Sequence, residues 1–590
     1  MGGMKQRNTG RSLRDLKREI SARSESNQEK KPQVVQEEDD SWYPSSYTSW
    51  KLVLSARLCA AVWSGVSDCD ETYNYWEPTH NLLYGQGMQT WEYDPRYALR
   101  SYMYLMVHAV PGWIYAKLLQ PNPMLVFYFL RCLLGGICAS CEVYFYQGVV
   151  KEFGINVGRI TLTVLTLSTG MFISSTAYLP SSTSMYLTLL AYGAWFRQEY
   201  RAAIFATALS AILSWPFTVL LGVPIAIDIV LYRGKVNMFL GWSAISAVTI
   251  LGPIMMCDTF YYGKPVFAAF NIVMYNVFTS HGPDLYGTEP TSFYLINGIL
   301  NFNLIFPAAL LLVLVRVGGR LLLGEKTVSL QGEHLPILLS QAGLYLWFLV
   351  FWLQPHKEER FLFPVYPLIA LAGAISIDTT QRIIHSLLST SKQYLNHTLW
   401  ISGSSLLLFG IISLLRITAL YQHYQGSTDV WMNVAQLEVS QHTTHVCVGK
   451  EWHRFPSSFF LPSTSFKIEF LKSEFRGQLP KYYESTEKGL LPTRVYHDDF
   501  NDQNMEEPSR YFTNPGKCHY LVDLDNDEVT DRQPRYAGHE NWTEVSSFSF
   551  LDPGASHPFF RAFYIPFIDS YFCKYNKYLL LKRNLVHDMN

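Results

Sequence analysis

The sequence predicts a polytopic α-helical membrane protein of about eleven spans, followed by a small α+β or β-rich domain. Three observations carry this reading. Apolar runs of roughly 17–25 residues, the length a helix needs to cross hydrocarbon, recur between residues 48 and 420. Charged residues make up 16% of the 590, where soluble domains carry about 25%. Aromatics reach 15%, which suits long membrane interfaces where Trp and Tyr settle. Mean hydropathy is only +0.05, so a polar portion must offset the apolar one.

Residues 1–45 are polar, mixed in charge and short of apolar side chains, a composition that predicts a disordered cytosolic segment. No cleavable signal peptide is legible, so the first apolar run, near residue 50, is expected to act as a retained anchor. Spans are expected near 48–66, 101–120, 124–149, 158–178, 181–197, 203–231, 236–257, 293–316, 335–353, 361–378 and 398–420. Pro180 and the serines around it suggest re-entrant half-helices between 158 and 197. Trp215-Pro216 marks a kink or break in the sixth span, because proline removes a helical donor. Arg131 and Glu142 fall on one face of the third span and are expected to be structural, turned to the protein interior.

Charge sets the orientation. Arg233 and Lys235, then Arg316, Arg320 and Lys326, then Arg382 and Lys392 share the cytosolic side if residues 1–45 are cytosolic, with Arg197 and Arg201 departing mildly. The body, 46–420, then presents the loops 67–100, 258–292 and 354–360 to the lumen, together with the tail, 421–590. That tail alternates short apolar and polar stretches, such as THVCVGKEW and KCHYLVDLD, which read as strands. Of the nine cysteines, Cys59, Cys132, Cys138 and Cys141 lie in apolar runs; among those in polar segments, Cys447 and Cys518 are the expected disulfide. There is no CxxC pair and no zinc spacing. Net charge is −1, which gives a nucleic-acid partner no electrostatic support.

Candidate chemistry gathers in the three lumenal loops. The first, SGVSDCDETYNYWEPTH, sets Asp68, Asp70, Glu71 and Glu77 within ten residues of a membrane exit. Paired carboxylates can take a proton from a sugar hydroxyl, one as base and one holding geometry. A solvated acidic loop is the competing reading, but Tyr73, Tyr75, Trp76, Trp91 and Tyr93 interleave with the acids as sugar-packing rings. Arg100 closes the loop, either snorkelling or touching a phosphate. The second loop offers His281, Asp284, Tyr286 and Glu289 to a polyhydroxylated acceptor, and Glu77 and His80 join them. The third is HKEERF. His356, Lys357 and Arg360 can neutralise a lipid phosphate, Arg by forking onto its oxygens and Lys as a point charge. A tight hairpin needs only one or two charges, and here there are five in a row.

Together DCDETYNYWEPTH, HGPDLYGTEP and HKEERFLFPVYPL resemble glycosyltransferase family 22, endoplasmic-reticulum mannosyltransferases of the GT-C class, over about residues 45–420. In the tail, VCVGKEWHRFPSSFFLP is similar to the branch that acts in α-1,2 linkage on the precursor of asparagine-linked glycosylation. The resemblance implies dolichyl-phosphate mannose as donor and the dolichyl-diphosphate-linked oligosaccharide as acceptor, at its seventh and ninth mannoses. It implies inversion at the anomeric carbon, with Asp70 as base, Glu71 as orienting partner and Asp68 in reserve. No metal or other cofactor is expected. A related mannosyltransferase of glycosylphosphatidylinositol assembly is the second reading. A solute transporter is the third, but no internal repeat is visible to support it.

The orientation makes a direct prediction. Asn541-Trp-Thr543 falls on the lumenal side and Asn396-His-Thr398 on the cytosolic side. Endoglycosidase treatment should therefore shift the mass of the wild type and leave Asn541→Gln unchanged. A glycan at Asn396 would overturn the orientation.

Overall fold

Ser45 starts the helical body by accepting from Thr48 N, which caps the helix Ser46–Trp63. The computed structural model describes residues 42–279, 283–324, 335–388, 394–484, 491–526 and 528–584. Residues 44–590 form one unit; residues 1–43 form another, described only at Trp42 and Tyr43. Asn122 caps the next long helix, Pro123–Phe153, with proline at its first position, where no donor is lost.

Among the described residues four helices are long and apolar enough to cross a membrane: Pro123–Phe153, Val236–Tyr262, Glu359–Leu388 and Tyr394–Tyr424. Several of the expected apolar runs are shorter or broken. The run at 158–178 splits at Ser168 into Ile155–Leu167 and Thr169–Ser174. The run at 203–231 breaks at Trp215, whose extended backbone (φ −142°, ψ 112°) is what a following proline demands. The run at 293–316 breaks at Asn303, which sits at φ 31°.

Two buried arginines tie the first helices of the body together. Arg57 donates to both Glu142 oxygens, at 2.8 and 3.0 Å, and to the Leu165 carbonyl at 2.6 Å. Arg131 donates to Ser64 Oγ and to Thr176 Oγ1. Arg131 and Glu142 are both buried, as their shared interior face predicts, and Glu142 answers Arg57 of the first helix rather than Arg131.

The tail carries a mixed five-stranded sheet. Strand β1 (Met88–Gln89) belongs to the first loop; β2 (Thr444–Val448), β3 (Phe466–Phe470), β4 (Lys481–Tyr482), β5 (Tyr520–Asp525), β6 (Trp542–Leu551) and β7 (Tyr575–Arg583) belong to the tail. The order is β3-β2-β5-β7-β6, parallel across β3-β2-β5 and antiparallel beyond. The Cys447–Cys518 disulfide is present, tying β2 to the residue two before β5.

The tail does not hang from the body; the first loop is stitched to it. Strand β1 pairs antiparallel with β4, Met88 opposite Tyr482. Thr72 Oγ1 donates to the Phe455 carbonyl at 2.9 Å and Tyr73 OH to the Trp452 carbonyl at 2.7 Å. Glu77 is the main tie. Its carboxylate is buried and accepts from Ser458 N at 2.6 Å, Ser458 Oγ at 2.9 Å, Ser457 Oγ at 3.2 Å and Met88 N at 3.1 Å. Burial pushes this carboxyl up to about 7 against the pull of those donors. Glu77 and His80, expected to bind acceptor, are thereby corrected: both are buried, and His80 Nδ1 bonds the Gln86 carbonyl at 2.5 Å.

Glu77→Ala would leave two backbone donors and two hydroxyls unpaired under the tail. The expected loss is roughly 3 kcal/mol, read as a lowered thermal midpoint of the purified protein. An unchanged midpoint would remove Glu77 from this role.

Candidate active site

Asp68 organises the floor of the site. Its side chain accepts from Asp70 N at 2.9 Å and so caps the short turn Cys69–Glu71. The chain then widens into a π turn, Thr72–Trp76, before the helix Glu77–Tyr84. Successive residues on such a turn point in different directions. Asp68 and Asp70 line a cavity of about 690 Å³, while Glu71 does not. Glu71 is buried and accepts from Trp76 Nε1 at 3.0 Å and Tyr178 N at 2.9 Å. The expected partnership of Asp70 with Glu71 is corrected by this geometry: the carboxylate beside Asp70 is Asp68.

HKEERF meets this pair from the far side of the sequence. Arg360 NH2 donates to Asp70 Oδ2 at 2.6 Å, Arg360 NH1 lies 3.2 Å from Asp68 Oδ2, and Arg360 Nε pairs with Glu358. His356 Nε2 bonds Glu358 Oε1 at 3.1 Å and its Nδ1 bonds the Gly287 carbonyl at 2.7 Å. Both ring nitrogens face acceptors, so the imidazolium form satisfies both. Burial would lower the His356 pKa, and Glu358 outweighs it to raise it. Burial would raise Glu358, yet Arg360 and His356 hold it down at about 2. Glu359 turns the other way, accepting from Asn301 Nδ2 at 2.6 Å.

The remaining candidates divide between those that line the cavity and those that do not. Lys357 is buried and spends its ammonium on the carbonyls of Gln354, at 2.5 Å, and Glu289, at 3.1 Å; it pins a turn and does not line the cavity. Arg100 does line it, held by a two-pronged pair to Glu92 (2.8 and 3.0 Å) and by Tyr75 OH at 2.7 Å. Tyr286 also lines it, its hydroxyl 3.4 Å from that of Tyr275. Glu289 contributes its backbone, N–H to the Pro355 carbonyl at 3.0 Å, and is outside the lining. His281 and the Asp284 side chain lie outside the described residues.

The cavity lining has unlike parts. One is apolar, with Trp215, Phe217, Val350 and Phe351; another comes from the tail, with Trp452, Phe475, Gln478 and Asn504. Glu92 and the tail wall escape sequence reading. Glu92 carries one signal, an arginine eight residues on; the tail residues carry none, because their proximity to the first loop is a long-range contact. Among the described residues, Asp68, Cys69 and Asp70 hold ligand atoms within 4.8 Å of one another, as do His423, Asp569 and Cys573. At the first set the Arg360 guanidinium already supplies the positive charge. At the second, Tyr575 OH links His423 Nδ1 and Asp569 Oδ2 at 2.9 and 3.1 Å.

A carboxylate pair under a guanidinium, between an apolar wall and a polar one, is suited to an enzyme that joins a lipid-borne substrate to a hydroxyl-bearing one. The model of the Alg9-like mannosyltransferase family matches residues 48–462. The chain is 48% identical to alpha-1,2-mannosyltransferase ALG9 of Homo sapiens, over 92% of this chain and 89% of that one. It is 46% identical to alpha-1,2-mannosyltransferase Alg9 of Drosophila melanogaster, over 92% and 88%. Among solved structures it is similar to apo ArnT from Cupriavidus metallidurans, with a TM-score of 0.48 at 12% identity over 73% of this chain and 87% of that one. The chain belongs to the Alg9-like mannosyltransferase family.

Burial raises the Asp68 carboxyl to about 7, with Arg360 opposing and Asp70 reinforcing. Protonating Asp68 removes its ion pair with Arg360 beside Asp70, so kcat/KM should fall as pH drops through about 7. Asp68→Asn removes the titrating carboxyl, and the limb near 7 should disappear with it. A wild-type limb lying wholly below pH 5 would sink the assignment.

Proposed function

We propose that this chain, an α-1,2-mannosyltransferase of that family, moves mannose from dolichyl-phosphate mannose to the dolichyl-diphosphate-linked oligosaccharide precursor of N-glycosylation, adding its seventh and ninth mannoses. The observation that carries the mechanism is the Arg360 guanidinium bonded to both Asp70 and Asp68 inside the cavity. The acceptor 2-hydroxyl gives its proton to Asp70, and its oxygen bonds the anomeric carbon. The bond from that carbon to the phosphate oxygen breaks, and the electron pair leaves with dolichyl phosphate. Attack opposite the leaving group turns a β-mannoside into an α-mannoside.

Asp70 takes the base role because its side chain is the more open, 35% exposed against 25% for Asp68. Asp68 holds the turn that carries it. Arg360 has a double duty. A phosphate arriving at the cavity competes for its fork, and guanidinium–phosphate pairing is bidentate and strong. As Arg360 turns to phosphate, Asp70 loses its counter-ion and becomes a better base. Developing charge on the leaving phosphate is then met by a fixed cation, with His356 and Arg100 nearby on the same cavity. The apolar wall of Trp215, Phe217 and Phe351 suits the dolichyl chain. The reading places the enzyme across the endoplasmic-reticulum membrane, with the cavity, the tail and the Asn541 sequon facing the lumen. Relatives acting in glycosylphosphatidylinositol assembly are distant, which leaves the N-glycosylation acceptor as the better supported.

The test is transfer from labelled dolichyl-phosphate mannose to lipid-linked oligosaccharide by the purified enzyme. Asp70→Asn should lower kcat by about 10²–10⁴-fold with normal membrane insertion. Arg360→Ala should raise the donor KM more than the acceptor KM and lower kcat as well. Near-normal rates in Asp70→Asn would return the base role to Asp68; equal KM changes in Arg360→Ala would reduce HKEERF to a scaffold.

A further inference from the structure

The tail wall of the cavity has no task in the chemistry just described, yet it is built with care. Trp452 and Phe475 pack at 4.5 Å between ring centroids with their planes tilted by 41°, and Tyr73 packs on Trp452 at 5.9 Å. All three rings reach the cavity. Asn504 stands beside them at φ 51°, a left-handed conformation that asparagine tolerates better than most residues. Its Oδ1 accepts from Gln478 N at 3.0 Å, which fixes the amide plane. The approach is close enough that a Cβ at Gly477 would lie 2.6 Å from that oxygen and 2.4 Å from the Phe475 ring. Asn504 Nδ2 and Trp452 Nε1 carry no hydrogen bond among the described residues, and both residues line the cavity.

We propose that this wall is the acceptor-glycan subsite: Trp452 and Phe475 form a platform for the C–H face of a mannose ring, and Asn504 Nδ2 and Trp452 Nε1 donate to its hydroxyls. The inference rests on the mannosyl-transfer reading and adds which part of the chain selects the acceptor. A lipid chain has no use for free amide and indole donors, and Trp215, Phe217, Val350 and Phe351 offer it aromatic and aliphatic surface in the same cavity. A polyol needs acceptors and donors together with a flat apolar face, and rings beside an amide provide that combination. The wall joins the carboxylates through Tyr73, three residues after Asp70, whose hydroxyl is held by the Trp452 carbonyl. The platform and the base are therefore tied to one short stretch of backbone, from Asp70 to Tyr73. Rings read shape with little directional demand, so one platform can serve both acceptor ends that the enzyme must recognise.

Kinetics with the purified full chain tests this, using dolichyl-phosphate mannose and lipid-linked oligosaccharide of defined length. Trp452→Ala and Asn504→Asp should each raise the acceptor KM about tenfold, the equivalent of one lost hydrogen bond or ring contact, with donor KM unchanged. Asn504→Asp keeps the left-handed tolerance and the Oδ acceptor for Gln478 while losing the donor, so it reports on binding even if Trp452→Ala fails to fold. Trp452→Phe, which keeps a ring and loses the N–H, should fall between wild type and Trp452→Ala. Unchanged acceptor KM in Asn504→Asp, or an equal rise in donor KM, would overturn the subsite while leaving the transfer reading intact. A wild type that transfers no mannose would overturn both.

Discussion

One guanidinium holds the site together. Arg360 bridges Asp68, Asp70 and Glu358, and so joins two stretches of chain some 290 residues apart. Three carboxylates packed in so small a space would repel without it. Burial makes ionised carboxylates costly, and only a nearby cation makes two of them tolerable together. Arginine suits the position because its planar fork can serve several oxygens at once and stays charged in a partly dry cavity. A lysine could offer only a point charge, as Lys357 shows three residues earlier, where its ammonium is consumed by backbone carbonyls.

Much of this was legible in the sequence, and the limits of legibility have physical causes. The helical body and the strand-bearing tail follow from apolar length and alternation, while polarity narrowed the disulfide only to Cys69, Cys447, Cys518 and Cys573, of which the expected Cys447–Cys518 pair forms. The two charged motifs stand out because charge between apolar runs needs a reason. What the sequence could not resolve is direction. Asp70 and Glu71 are neighbours, yet the turn that carries them aims one at the cavity and the other at Trp76 and Tyr178. Lys357 and Arg360 share a motif and differ in the same way. Composition identifies a cluster; the backbone path decides which members share a face.

The tail was the larger omission, and its reason is range. Glu77 looked like a sugar-binding acid because it sits among aromatics. Its partners, Ser457 and Ser458, lie about 380 positions away, and nothing local announces them. Their pairing changes the meaning of Glu77 from ligand contact to fastening. It also changes the meaning of the tail, which closes over the first loop and supplies one wall of the cavity.

Fastening and chemistry are therefore linked through a single short segment. Asp70 ends up seven residues before Glu77, on a stretch whose far end is locked to the tail and whose near end is capped by Asp68. A base must stay within hydrogen-bond reach of the hydroxyl it serves, and a loop free at both ends would spread that distance over several ångströms. Anchoring both ends confines it. The charges then need no rigid cage of their own, and in the proposed mechanism Arg360 exchanges a carboxylate for a phosphate without the segment drifting. The same segment passes Tyr73 to the tail wall, so on the proposed reading one piece of backbone sets both the acceptor and the base.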